Sequence, residues 1–245
     1  MNQAAYVRFE LLRTFRNRRI MIFSLGFPIV LYLVIAGPNR NESDFANSGI
    51  SAPLYYMVSL AAWGTMTAML GSGARIAAER QVGWNRQLRI TPLSPRVYFR
   101  AKVLTAYVLA GASIGLLYIC GASFGVSMSA GTWLRMTGLV AVGLLPFAAL
   151  GILLGHLLTA DSVGAAVGGI TAVLALVSGV WFPIGQHSTL HDVAQFLPSY
   201  WLVQAGHVGV GGEGWGTTGW LVVLVWTVVL AALARRAYER DTKRG

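Results

Sequence analysis

The sequence predicts an all-α integral membrane fold with six transmembrane helices, and three observations carry that reading. Apolar residues make up 55% of the chain and charged residues only 11%, which leaves an ordinary soluble domain too little polar surface. Six stretches are apolar on all sides for about 20 residues, the length that crosses a hydrocarbon core of about 30 Å at about 1.5 Å per helical residue. Finally, the basic residues fall in blocks between those stretches. A β-barrel would need alternating strands of about ten residues instead, and the apolar runs do not alternate.

The expected spans are 20–37, 54–74, 101–126, 132–155, 163–184 and 217–234. Before the first lies a basic stretch, 1–19, that imitates the start of a signal peptide. It is long for that role and is patterned as a helix. Val7, Leu11 and Phe15 share one face beside Leu12, and Glu10, Arg13 and Asn17 share another. An interfacial helix is expected there, lying along the inner membrane surface with its arginines meeting anionic lipid. Pro28 and Pro146 fall within spans one and four as candidate kinks. Gly111/Gly115, Gly121/Gly125, Gly151/Gly155 and Gly164/Gly168 have the spacing that lets membrane helices approach closely.

Orientation follows from the arginines and lysines, because basic flanks stay cytoplasmic during insertion. Five precede span one (Arg8, Arg13, Arg16, Arg18, Arg19) and seven lie between spans two and three (Arg75, Arg80, Arg86, Arg89, Arg96, Arg100, Lys102). Five more follow span six (Arg235, Arg236, Arg240, Lys243, Arg244), leaving only Arg40 and Arg135 for the outside. Both termini are therefore expected in the cytoplasm of a multi-pass protein of the bacterial plasma membrane. The link 156–162 between spans four and five is cytoplasmic by parity alone. The net charge of +10 is used up in this topology signal, so no nucleic-acid partner is expected.

No span carries an ionisable residue near its middle, which argues against an ion-coupled carrier, a voltage sensor or an intramembrane protease. The lysines are Lys102 and Lys243, and neither ends a phosphate-binding loop of the G-x-x-x-x-G-K-[ST] type. Any ATPase must be another polypeptide. His187, His191 and Asp192 read as a polar turn rather than a metal site, and Cys120 as a small hydrophobe. No catalytic residue and no metal is expected in the chain.

The loop 75–100 carries more information than topology requires. Glu79 can pair with Arg80, Arg86 and Arg89, Gly83 permits a turn, and Thr91-Pro92 ends a helix, so a short surface helix is expected. From Glu79-Arg80-x-x-Gly83 through Arg89-Ile-Thr91-Pro92-Leu93-Ser94-Pro95 the loop resembles the signature of ABC-2 type transporter permeases, which include the daunorubicin-type drug exporters. Ser178-Gly-Val-Trp-Phe-Pro183-Ile, followed by Phe196-Leu-Pro198-Ser-Tyr200-Trp, is similar to that family's end of span five and its short outer re-entrant helices, placed here within 185–216. With the six-span layout the resemblance covers nearly the whole chain.

The resemblance implies one half of a type V ABC exporter, moving a hydrophobic or amphiphilic substrate such as a drug, antibiotic or lipid out of the cytoplasm or inner leaflet. Two permease chains, identical or related, would pair, each binding a soluble ATPase subunit that holds the ATP and Mg. The 75–100 loop would then be the coupling helix, with Glu79, Arg80, Gly83, Arg86, Arg89, Thr91 and Pro92 contacting or orienting the ATPase. Phe23, Phe27, Tyr55, Trp63, Trp181 and Phe182 are candidates for an aromatic substrate path. The alternative is an ion-coupled or passive carrier or channel, in which the basic loop only fixes topology.

Overall fold

A computed structural model describes residues 3–47, 49–83, 95–185, 187–208 and 214–244. Every regular element among them is helical. Helix α1 (Gln3–Phe15) is followed by α2 (Arg18–Met21), a π-helical stretch over Ile22–Gly26, and α3 (Phe27–Ala36). Then come α4 (Ala52–Gln81), α5 (Pro95–Ser123), α6 (Ala130–Gly143), α7 (Leu145–Leu157) and α8 (Ala160–Val177). Two short helices, α9 (Thr189–Ala194) and α10 (Pro198–His207), precede α11 (Thr217–Arg244).

Among the described residues four stretches are helical, long and apolar enough to cross a membrane: Val97–Ser123, Ala130–Leu157, Ala160–Val177 and Thr217–Asp241. The other two expected spans fall on helices of a different kind. The first, expected over 20–37, runs from Arg18 to Ala36, and only Ile22–Ala36 forms an apolar helix. Its wide turn lies just ahead of Pro28, which has no N–H to donate and whose ring crowds the carbonyl four residues back, so the backbone opens there. The second, expected over 54–74, lies inside the 30-residue α4, about 45 Å long. Ser59, Thr65 and Ser72 are buried on this helix, and Thr65 Oγ1 donates to the Ala61 carbonyl at 2.7 Å. Helix α4 is walled by protein on most of its circumference, packing on α3, α5, α7, α8 and α10. Neighbouring helices rather than lipid set its surroundings, so it tolerates polar residues that a lipid-facing span would not.

One expected boundary differs in the structure. Span five ends at Val177, not at residue 184. Gly179 takes φ +76°, and the Val180 N–H reaches back to the Ala175 carbonyl at 3.2 Å, which closes the helix end. The helix begins on a reciprocal cap between Thr159 and Ser162. Span four is divided into α6 and α7 at Leu144, with Pro146 in the first turn of α7.

Glycine permits a close crossing of backbones between α4 and α7. A Cβ on Gly73 would stand 2.3 Å from the Gly151 carbonyl oxygen, one on Gly151 2.5 Å from that of Met69, and one on Gly155 2.8 Å from that of Gly73. The Gly151/Gly155 pair therefore packs inside the chain as its spacing predicts. Gly121 also faces a neighbour, Met57. At Gly111, Gly115, Gly125, Gly164 and Gly168 a Cβ would meet nothing within 4 Å.

Helix α1 sets one narrow face against the protein. Tyr6, Glu10 and Thr14, four residues apart, are buried at 1%, 2% and 1% exposure, while Phe9, Leu12 and Phe15 are exposed. Phe15 and Leu12, grouped on the expected apolar face, thus point away from the protein, and Glu10, grouped with Arg13 and Asn17 on the other face, points in. The reason lies in the partners: α1 packs on α5, where a buried cation waits for Glu10. Outward apolar side chains are stable where the solvent is lipid.

Candidate functional site

Helix α4 ends in two adjacent charged residues, Glu79 and Arg80, which leave the helix in different directions. Each becomes the centre of an ion cluster. Just beyond them Gly83 turns the chain with φ +71°, a conformation that costs glycine little, so the turn expected from the sequence is present. Arg86, Arg89, Thr91 and Pro92, with the expected surface helix, lie outside the described residues.

The first cluster joins α1, α4 and α5. Lys102, fully buried at 0% exposure, places Nζ 2.5 Å from Glu10 Oε1 and 2.5 Å from Glu79 Oε1. Arg13 Nη1 donates to the same Glu79 oxygen at 2.7 Å, and the Tyr98 hydroxyl donates to the other, Oε2, at 2.9 Å. Arg75 Nη1 donates to Thr14 Oγ1 at 2.7 Å, and that hydroxyl donates to the Glu10 carbonyl at 2.9 Å. Tyr6 packs beside these groups. Burial, then the Glu10 and Glu79 carboxylates, push its phenol pKa up, so it stays neutral. Glu79, at 1% exposure, has both oxygens engaged within the chain.

The second cluster joins α4, α7 and α11. Arg80 makes a two-pronged pair with Asp241, Nε to Oδ2 at 2.6 Å and Nη2 to Oδ1 at 2.7 Å. Its Nη1 donates to the Gly155 carbonyl at 2.9 Å and to that of Leu158 at 3.2 Å, satisfying orphan acceptors at the C-terminal end of α7. His156 Nδ1 lies 3.1 Å from Asp241 Oδ2, and the His156 ring sits edge-on to Phe99 and Tyr238. The start of the 156–162 link thereby lies at the same end of the bundle as Arg80 and the C-terminal part of α11. Asp241→Asn is expected to cost about 1 kcal/mol or slightly more in stability, because a two-pronged pair is stronger than a simple one but this one is a quarter exposed. Thermal unfolding of detergent-extracted protein measures it, and a loss above about 3 kcal/mol would mean that the pair behaves as a fully buried one.

The opposite end is closed by neutral contacts. The Tyr55 hydroxyl donates to the Gly179 carbonyl at 2.5 Å, and its ring stacks on His207 at 5.3 Å. Ser178 and Ser199 hydroxyls meet at 2.5 Å, and Trp215 Nε1 donates to the Trp201 carbonyl at 2.8 Å. His191 lies edge-on to Tyr200, a packing contact of the α9–α10 corner. Of the six aromatic candidates, four form a connected row. Phe23 lies 6.5 Å from Phe27, Phe27 lies 5.6 Å from Trp63, and Trp63 lies 6.1 Å from Trp181. The row climbs from an exposed end at Phe23 into the bundle. Tyr55 is buried apart from it in the closing contacts, and Phe182 is exposed.

Lys102 and Glu10 are the functional candidates that sequence reasoning missed. Lys102 counted only as a topology signal, yet it is one of two lysines among 19 basic residues and stands at the very edge of the expected third span. A lone lysine at the edge of an apolar run, in a chain otherwise using arginine, was the available signal.

A bundle of apolar helices around a protein-walled central helix, with its ion pairs at one end, defines a multi-pass helical membrane protein. The chain belongs to the ABC-2 transporter family: residues 38–234 match the family described as "ABC-2 family transporter protein". It is also similar to the protein named "Putative transport permease YvfS" of Bacillus subtilis (strain 168), 29% identical over 196 residues that cover 78% of each chain. The family makes this an ABC-2 type transport permease and implies association with an ABC ATPase subunit.

Proposed function

We propose that this chain is the permease subunit of an ATP-driven exporter for a hydrophobic or amphiphilic substrate, with six spans and both termini in the cytoplasm. A separate ATPase, carrying the ATP and Mg, docks on the segment between α4 and α5, and a second permease chain completes the pair. One observation carries the reading: Glu79 and Arg80, adjacent at the root of that segment, each lock α4 to two other parts of the bundle. A push on the segment is then delivered to α1, α5, α7 and α11 together, as mechanical coupling requires. Of the roles implied for Glu79 and Arg80, burial favours orienting the docking segment over touching the partner, and leaves contact to Arg86 and Arg89. The aromatic row from Phe23 to Trp181 offers an apolar substrate a way in from the lipid side.

The test is to tag the chain, extract it from its native membrane in mild detergent and identify what copurifies, for wild type and for Arg86→Ala/Arg89→Ala. A protein with a phosphate-binding loop is expected with wild type, reduced several-fold with the double variant while the permease itself stays monodisperse. Should the chain purify alone and move solute across vesicles lacking ATP, the carrier reading would replace this one.

A further inference from the structure

The outward side of α1 carries a groove of about 360 Å³ lined by Phe9, Leu12, Arg13, Arg16 and Asn17. Its lining suits a lipid rather than a polar solute: two guanidinium groups, of Arg13 on α1 and Arg16 just after it, stand beside two exposed apolar side chains of α1. The one acidic residue of α1, Glu10, is turned inward and held by Lys102, so it does not neutralise the groove. The outer side of the helix therefore presents basic and apolar side chains and no acid, with Arg8 also exposed.

The cluster beneath the groove adds to this. Lys102, Arg13 and Arg75 stand against Glu10 and Glu79, three cations to two carboxylates. Arg75 Nε and Nη2 are buried without a hydrogen-bond partner among the described residues. Arg13 belongs to both places. Its Nη1 is on Glu79, yet its side chain is 48% exposed and lines the groove. A guanidinium has five N–H donors, so Arg13 can hold Glu79 and an outside anion at once.

We infer that this groove is a binding site for the headgroup of an acidic phospholipid, its phosphate held by Arg13 and Arg16 and its acyl chains lying on Phe9 and Leu12. The bound phosphate adds the missing negative charge to the ion cluster at the root of the docking segment. The lipid thereby becomes a ligand of that cluster through Arg13. The site requires only that α1 lie at the lipid surface, so it stands whether or not an ATPase drives the chain.

The full-length chain in a neutral detergent is titrated with dioleoylphosphatidylglycerol, dioleoylphosphatidylcholine or soluble glycerol 3-phosphate, and bound molecules are counted by native mass spectrometry. Phosphatidylglycerol is expected to be retained in preference to phosphatidylcholine. Arg16→Gln, an exposed change that leaves the ion cluster untouched, is expected to weaken retention about five-fold, the contribution of one basic side chain at an anionic surface. Arg235→Gln, exposed on α11, serves as the control and is expected to change nothing. Equal binding of the two lipids, or no effect of Arg16→Gln, overturns the site. Equal binding of glycerol 3-phosphate makes it a free-anion site and overturns the lipid assignment. A change in oligomer mass with Arg16→Gln places a second protein chain in the groove, with the same consequence.

Discussion

Replacing Lys102 with methionine is expected to remove most of the folded protein from the membrane. The substitution nearly preserves volume, so its effect is electrostatic. It leaves Glu10 and Glu79, exposed to 2% and 1%, without their shared cation. Breaking one partner out of a buried ion cluster costs about 3–5 kcal/mol, because a carboxylate stripped of both water and counter-charge has nowhere to place its charge. Arg13 retains part of Glu79, but Lys102 is the only cation paired with Glu10 among the described residues. The double variant Lys102→Met/Glu10→Gln is therefore expected to recover a measurable part of the loss, since it removes one acid as well as the cation. Fluorescence-detected size-exclusion after a temperature ramp reads both. If the single variant melts within about 1 kcal/mol of wild type, the cluster is wetter than its burial indicates and acts as a surface pair.

Gly151→Val is expected to be as damaging for a steric reason. Its Cβ would stand 2.5 Å from the Met69 carbonyl oxygen and 2.9 Å from Ser72 Oγ. The obstruction is backbone of α4, which cannot rotate aside, so α7 must move as a body and the Gly73 and Gly155 contacts go with it. Forcing such a contact costs about 1–3 kcal/mol, and the upper end applies where the neighbour is main chain. Gly164→Val is the matched control. On α8 a Cβ at that position meets nothing within 4 Å, so the same chemical change is expected to leave the melting temperature of the isolated chain nearly unaltered. Equal destabilisation by both variants would show that helix propensity, not the α4–α7 crossing, governs these sites.

The contrast between the two glycines shows where sequence patterns stop informing. Gly151/Gly155 and Gly164/Gly168 have the same spacing in equally apolar helices, and only the first pair faces another helix. Spacing places two small residues on one side of a helix, but which neighbour that side meets depends on the packing of the whole bundle. Helix α1 teaches the same through charge. A helical pattern was legible over 1–19, with Glu10 on its polar face beside Arg13 and Asn17, whereas the burial of Glu10 was not, because the lysine that holds it lies on another helix. The coupling-loop candidates divide likewise. Gly83 turns the chain as its residue type predicts, whereas the inward engagement of Glu79 and the capping of α7 by Arg80 depend on residues 23 and 75 positions away.

By itself the sequence determined the solvent and the element type. Long apolar runs require lipid or protein on every side, and in such surroundings only a helix satisfies its own backbone. It also determined which end of each helix would gather at the charged side, because arginine and lysine cannot be left in hydrocarbon. What the tertiary structure decided was pairing. The central place of α4, the shared cation of Glu10 and Glu79, the Arg80–Asp241 clasp and the α4–α7 crossing all join residues far apart in the chain. Their energies come from charge pairing and close van der Waals contact between specific surfaces, which no local stretch of sequence encodes.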